Sequence, residues 1–201
     1  KQNAVRLVAY VPDKVLARRP GYRIALHAAQ VIESDLVQVA ANELNPREAL
    51  QAAQRGVQIS ETLVGLDPDN VVSLNNMGVV QQSSGDALWS MGKVREAIPY
   101  YLKSLDSYGR ATAGGAGFFL IHGYDVAQTA YHQAQTGDFK GAAATIASGA
   151  QFQGELRRIE PANSIAVVLL DTLQELPAAG VALQRDDFTT AIRISREAAR
   201  H

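Results

Sequence analysis

Apolar residues recur along most of this chain at intervals of three and four, the period of a helix with a buried face. One such segment covers about 21 to 43, where Ile24, Leu26, Ala28, Val31, Ile32 and Leu36 alternate between faces. A second begins at Pro46 and carries Leu50, Ala53, Val57, Leu63, Val64 and Leu66. Between them, Asn45-Pro46-Arg47-Glu48 reads as a helix start. Asn45 caps free N–H groups, Pro46 suits the first helical position, and Glu48 complements the positive end. The same reading gives eight helices in four pairs: 21–43 with 46–66, 70–91 with 94–111, 117–136 with 139–159, and 163–184 with 187–200. Leu66-Asp67-Pro68-Asp69-Asn70 and Ile159-Glu160-Pro161-Ala162-Asn163 punctuate two of the joints, because proline cannot continue a helix and asparagine caps the next. The middle joint, near Tyr108 to Gly117, has a glycine cluster and no proline, and is predicted to be the loosest. Pro99 predicts a mild kink, and Pro177 followed by Gly180 a kink or break. Residues 1–18 do not fit the pattern; Ala4 to Val11 reads as a strand or the tail of an earlier helix, a linker or the remnant of an upstream element.

The turns repeat as well as the helices. Met91-Gly92-Lys93-Val94-Arg95-Glu96-Ala97 returns as Thr136-Gly137-Asp138-Phe139-Lys140-Gly141-Ala142, and again as Arg185-Asp186-Asp187-Phe188-Thr189-Thr190-Ala191. A weaker copy, Leu44-Asn45-Pro46-Arg47-Glu48-Ala49, precedes them. The alanines Ala49, Ala97, Ala142 and Ala191 are 48, 45 and 49 residues apart. A repeated helix–turn–helix unit is the simplest cause and predicts an all-α solenoid. The units are about 19–67, 68–113, 114–160 and 161–201.

Within the second unit, Met77 to Ala111 resembles a tetratricopeptide repeat. Gly85-Asp86-Ala87-Leu88-Trp89-Ser90-Met91-Gly92 gives the small and the large apolar residue of its first helix and then the turn glycine, and Ala97, Tyr101 and Ser104 stand at the small, aromatic and small positions of its second. Gly85 and Ala97 let the paired helices approach, Tyr101 fills the gap between them, and Gly92 supplies a left-handed turn residue. The third unit keeps Ala130, Gly137 and Ala142 but has Ile146 at the aromatic position. The fourth has Asp186 at the turn glycine, and the first keeps only Ala49 clearly. The resemblance implies a right-handed α-α superhelix of about four repeats. Each unit is longer than the usual length of about 34 residues. That long-helix variant is similar to repeats attached to bacterial signalling proteins such as serine/threonine kinases, nucleotide cyclases and winged-helix regulators.

Composition narrows the function classes. The 201 residues are 47% hydrophobic, enough for an ordinary core, and the net charge is −1 with basic and acidic residues well mixed. That balance argues against a nucleic-acid partner, which needs a clustered basic face. The chain has no cysteine, which excludes disulfides and thiolate metal sites and leaves cytoplasm and periplasm equally open. No apolar run reaches 18 residues, so no membrane insertion is expected. The chain starts at Lys1 with no signal-peptide pattern and reads as an excised fragment or a processed chain.

Candidate chemistry is sparse. His27, His122, His132 and His201 show no ligand-pair spacing; His122 and His132, ten apart, match one helix face poorly, and solvated or edge-of-core positions are expected for all four. Ala113-Gly114-Gly115-Ala116-Gly117-Phe118-Phe119 lacks the Gly-Lys-Ser/Thr ending of a phosphate loop and reads as a flexible joint. Asp186-Asp187, Asp67 and Asp69 read as helix caps. No enzyme activity, metal or cofactor is expected. The resemblance implies that the first helix of each unit lines a concave groove. Its positions carry over to Ser34, Gln38 and Asn42; to Gln82, Asp86 and Ser90 with Trp89 beside them; to Ala127, Tyr131 and Gln135 with Tyr124 one turn earlier; and to Leu176, Gly180 and Gln184. Trp89 can face core or groove, and the amides can equally be a solvated face. A surface of amides and tyrosines without lysine or arginine lacks the carboxylate clamp of chaperone-tail binders. It suits a peptide backbone or a neutral helix. The expected function is an interaction scaffold for a protein or peptide partner, a second copy of the chain included. The alternative is a ligand-sensing regulatory domain, with a small molecule enclosed by the bent fourth unit and the glycine joint.

Overall fold

The computed structural model describes residues 11–159, 178, 180, 182 and 187–198. The expectations for residues 1–10, for Leu176, Pro177, Gln184, Asp186 and His201, and for most of 161–186 lie outside the described residues. Every regular element among the described residues is helical. Helix α1 spans Arg23–Asn42, α2 Pro46–Leu66, α3 Val71–Ser90, α4 Val94–Ala111, α5 Ala116–Gln135, α6 Phe139–Ile159 and α7 Phe188–Ala198; a short helical segment over 11–16 precedes them. The chain divides into two compact units, Lys1–Ala111 and Thr112–His201.

In the first unit α1 packs on α2, α2 on α3 and α3 on α4, and α1 also touches α3. Ile32, Leu36 and Val37 of α1 meet Ala52 and Ala53 of α2. Ala40, Ala49 and Ala87 bring α1, α2 and α3 together, and Leu88, Ala97 and Tyr101 join α3 to α4. Two tyrosines set the spacing of that last pair. A Cβ on Gly85 would lie 2.7 Å from Tyr101 Cε1, and one on Gly78 2.7 Å from Tyr108 Cδ1. Each ring therefore lies directly on backbone, and each glycine is required for the close approach. Tyr108 and Gly109, at the near edge of the expected joint, lie in the last turn of α4, which ends at Ala111 as the sequence reading has it; Tyr108 is buried on Gly78. The joint itself is short: a 3₁₀ turn over Thr112–Gly114, then Gly115 at φ 107°. Helix α4 continues through Pro99 without interruption.

Polar groups also tie the first unit together. Gln30, fully buried, donates to Ser60 Oγ at 2.6 Å, and its carbonyl accepts from Asn76 Nδ2 at 3.0 Å, linking α1, α2 and α3. Arg55 grips both oxygens of Glu33 at 2.9 Å. Asp67 stands at the C-cap of α2, its backbone N–H on Leu63 O at 3.1 Å, and its carboxylate takes the Arg23 guanidinium at 2.8 Å, while Asn70 caps α3 through Ser73 N–H at 3.0 Å.

The second unit pairs α5 with α6 through Ala130, Ala134 and Ala142, backed by Phe139 and Ile146. Gln133 accepts from Thr145 Oγ1 across this pair at 2.7 Å. Asp138 caps α6 at Gly141 N–H and Asp187 caps α7 at Thr190 N–H.

One turn geometry recurs in both units. Asn45 N–H bonds Ala40 O at 2.9 Å, Lys93 N–H bonds Leu88 O at 2.9 Å, Asp138 N–H bonds Gln133 O at 2.9 Å, and Asp187 N–H bonds Ala182 O at 3.0 Å. This is the six-to-one closure of a helix C-terminus, which needs a left-handed residue just before the donor. Gly92 (φ 75°) and Gly137 (φ 84°) supply it in the second and third turns, and Leu44 (φ 55°) in the first. The alanine four residues after each donor starts the next helix and is buried in all four cases. The spacing of Ala49, Ala97, Ala142 and Ala191 is therefore the spacing of a repeated capped turn.

Candidate functional site

The first unit contains a cavity of about 400 Å³ where the C-terminal half of α1, the α1–α2 turn and α3 meet. Its apolar wall includes Val37, Ala41, Ala49 and Ala87, with Leu44 and Pro46 from the turn. Gln38, Asn45, Ser83, Asp86 and Ser90 supply its polar groups. Ser83, Asp86 and Ser90 are three and four residues apart, so they share one face of α3.

Local hydrogen bonds fix what these groups can offer. Ser83 donates to Val79 O and Ser90 to Asp86 O, both at 2.8 Å within their own helix. Asn45 is engaged on both sides by Glu48: its carbonyl accepts from Glu48 N–H at 3.3 Å and its amide donates to Oε2 at 3.0 Å. Asp86 Oδ1 accepts from the Tyr101 hydroxyl at 2.9 Å. Tyr101 is fully buried on Gly85, so the anchor of the carboxylate is rigid.

The sequence-derived site residues divide into three groups. Gln38 and Asp86 come together in the cavity, joined by Ser90. Asn42 is exposed near the end of α1 but does not line it, and Ser34 turns back to Gln30 O. Gln82 accepts from Tyr108 at 3.2 Å, and Trp89 is half-buried against Leu88, Ala97 and Tyr101. The second group thus belongs to the packing of the helices. Tyr124, Tyr131 and Gln135 form a third set on α5 in the second unit, an exposed stripe in which Gln135 Nε2 donates to Tyr131 Oη at 2.6 Å. Leu44, Pro46 and Ser83 were not singled out by sequence. The signal that pointed to Leu44 was its place in the repeat, where other units carry glycine.

Two of the histidines, His122 and His132, correct their expected positions, while His27 is half-buried. His122 is 3% exposed and His132 also buried, rather than solvated or at the edge. The exposed part of α5 is only the narrow strip through Ile121, Tyr124, Tyr131 and Gln135, so positions well apart around the helix are both inside. His122 stacks edge-on to Phe152 at 4.1 Å, and neither ring nitrogen has a hydrogen-bond partner. Burial pushes its pKa down to about 4, and does the same to His132. Among the described residues no group of three or more His, Asp or Glu side chains is arranged to hold a metal ion. No helix among them is long and apolar enough to cross a membrane. No family model matches the chain, and no curated protein matches it.

Proposed function

We propose that the chain is a non-catalytic, tetratricopeptide-like interaction scaffold, with helix pairs stacked as a right-handed superhelix and a partner peptide or helix held on the faces of the first helices. The observation that carries this reading is the cavity itself. It forms where α1, the first helix of one unit, meets α3, the first helix of the next, and it holds three of the side chains that the repeat register assigns to a groove, Gln38, Asp86 and Ser90. The four equivalent capped turns support the register on which that assignment rests. Acid–base catalysis is a poor fit, because Asp86 is the single ionisable side chain among the described residues lining the cavity. The long-helix resemblance favours a regulatory domain of a signalling protein. The ligand-sensing alternative depends on the segment around Pro177, outside the described residues, and no described feature favours it.

The reading is tested by selecting binders from a displayed random-peptide library and measuring them against Ala41→Trp. Ala41 is exposed at the cavity wall, so the indole fills the space without entering the core. Selected peptides should bind this variant at least tenfold more weakly at unchanged melting temperature. Undiminished binding would show that the cavity is not where partners dock.

A further inference from the structure

Basic and acidic residues balance over the whole chain but not along it. Residues 1–23 hold six of the nineteen basic residues (Lys1, Arg6, Lys14, Arg18, Arg19 and Arg23) and one acid, Asp13, a net charge of +5. The remaining residues carry thirteen basic and nineteen acidic side chains, a net charge of −6. We infer that the corner formed by the helical segment over 11–16 and the turn into α1 docks on an anionic lipid surface, its arginines among the headgroup phosphates and its exposed apolar side chains in the interfacial layer. This corner shares no lining residue with the α1–α3 cavity and does not rest on the docking reading above.

Three observations lead there. First, the positive charge is presented outward and not spent inside the first unit. Asp13 is near enough to Arg55 of α2 to favour the charged guanidinium there, and Arg23 is held by Asp67 at 2.8 Å. Arg18 and Arg19 are exposed, and among the described residues no carboxylate pairs with either. Residues 24–111 of the same unit carry six basic and ten acidic side chains, a net charge of −4. An anionic surface therefore repels the rest of the unit and selects this corner. Second, the arginines stand on a closed turn. Arg19 N–H bonds Val15 O at 2.8 Å and Tyr22 N–H bonds Arg19 O at 3.0 Å, so both side chains are carried on fixed backbone. With Lys14, Val15 and Tyr22 they line an open hollow of about 630 Å³, room for a phosphate headgroup. Third, exposed apolar side chains adjoin the cations in the chain. Val11, one turn before Lys14 and Val15, is 65% exposed, Tyr22 is 42% exposed and Ile24 is 70% exposed. A soluble polyanion makes no use of aliphatic side chains, whereas the interfacial layer of a membrane takes cations, tyrosine and aliphatic groups together. Each basic residue close to an anionic surface strengthens binding about fivefold, so a patch of this size gives reversible docking.

The test is co-sedimentation of the full chain with vesicles of phosphatidylcholine alone and of phosphatidylcholine with about one-third phosphatidylserine. The anionic vesicles should bind at least about tenfold more tightly than the neutral ones, and added salt should erode the difference. Arg18→Gln with Arg19→Gln should weaken that binding by about tenfold or more. Arg47→Gln with Arg95→Gln removes the same charge from exposed positions at the starts of α2 and α4 and should change it by less than about threefold. Ile24→Ser should weaken vesicle binding by about threefold or more and leave binding to soluble polyglutamate and to an oligonucleotide unchanged. All five substituted side chains are exposed, and an unchanged melting temperature shows that each variant keeps its fold. No preference for anionic vesicles at low salt overturns the inference, and so does an equal loss from the Arg47 and Arg95 pair. If polyglutamate or the oligonucleotide binds more tightly than the vesicles and Ile24→Ser changes nothing, the corner holds a soluble polyanion and the lipid surface is wrong.

Discussion

Replacing Gly85 by alanine tests the packing that places Asp86. The new Cβ would sit 2.7 Å from Tyr101 Cε1 and 2.9 Å from both Cδ1 and Cζ, where carbon atoms ordinarily rest about 3.5–4.0 Å apart. Tyr101 is fully enclosed and its hydroxyl is bonded to Asp86, so the ring has no free direction of retreat. Overpacking of this kind costs about 1–3 kcal/mol. Alanine's better helix propensity returns about 1 kcal/mol. The net expectation lies between no change and a loss of about 2 kcal/mol. Gly78→Ala, which meets the Tyr108 ring in the same way, should behave alike. Gly65→Ala is the control: it is exposed near the end of α2 with nothing within 4 Å, so only the propensity gain remains, a few tenths up to about 1 kcal/mol. The assay is urea unfolding followed by fluorescence of Trp89, the single tryptophan, which packs on the Leu88–Ala97–Tyr101 cluster and so reports on the first unit. Tyr101→Leu should soften the Gly85→Ala penalty in a double-mutant cycle. If Gly85→Ala stabilises as much as Gly65→Ala, the α3–α4 contact does not run through Tyr101 and the register of the pair is wrong.

Other outcomes follow from single sites. Gly92→Ala should cost about 1–2 kcal/mol through its positive φ alone, since nothing crowds its Cβ, whereas Leu44→Gly should relieve the same strain and leave stability unchanged or higher; urea midpoints check the opposite signs. Gln30→Leu strands the Asn76 amide and removes the donor to Ser60, whose hydroxyl keeps its bond to Gly56 O, and should destabilise by about 1–3 kcal/mol in the same unfolding assay. His122 has a folded pKa near 4 against about 6.5 when unfolded, so the unfolded chain binds the extra proton between those values. Stability should therefore fall as pH drops from 6.5 towards 4, by up to on the order of 3 kcal/mol for this group. His122→Leu should flatten that slope in thermal melts over the same range, leaving the like-directed contribution of His132.

The helix boundaries were legible because their signals are local. Asn45, Asn70, Gly92 and Gly137 act through hydrogen bonds or dihedrals within a few residues, and these are visible in sequence. The Gly85–Tyr101 contact was legible through the repeat motif, which carries a tertiary relation in its spacing. Gln30 was not, because a glutamine in a helical pattern reads as solvent-facing until Ser60 and Asn76 are brought beside it. The register put Gln38 and Asp86 on one surface, but it could not tell that Tyr108 would occupy Gln82 or that Trp89 would lean on the core. It aligned Leu44 with Gly92 and Gly137 but gave no reason to expect a left-handed leucine, which goes with the closing bond from Asn45 to Ala40.

The central claim is that partners dock where α1 meets α3. A crystal structure of the full chain with a library-selected peptide tests it most directly. The account predicts peptide density in the cavity beside Ala41 and Ala87. Density elsewhere, with the cavity unfilled, would contradict it.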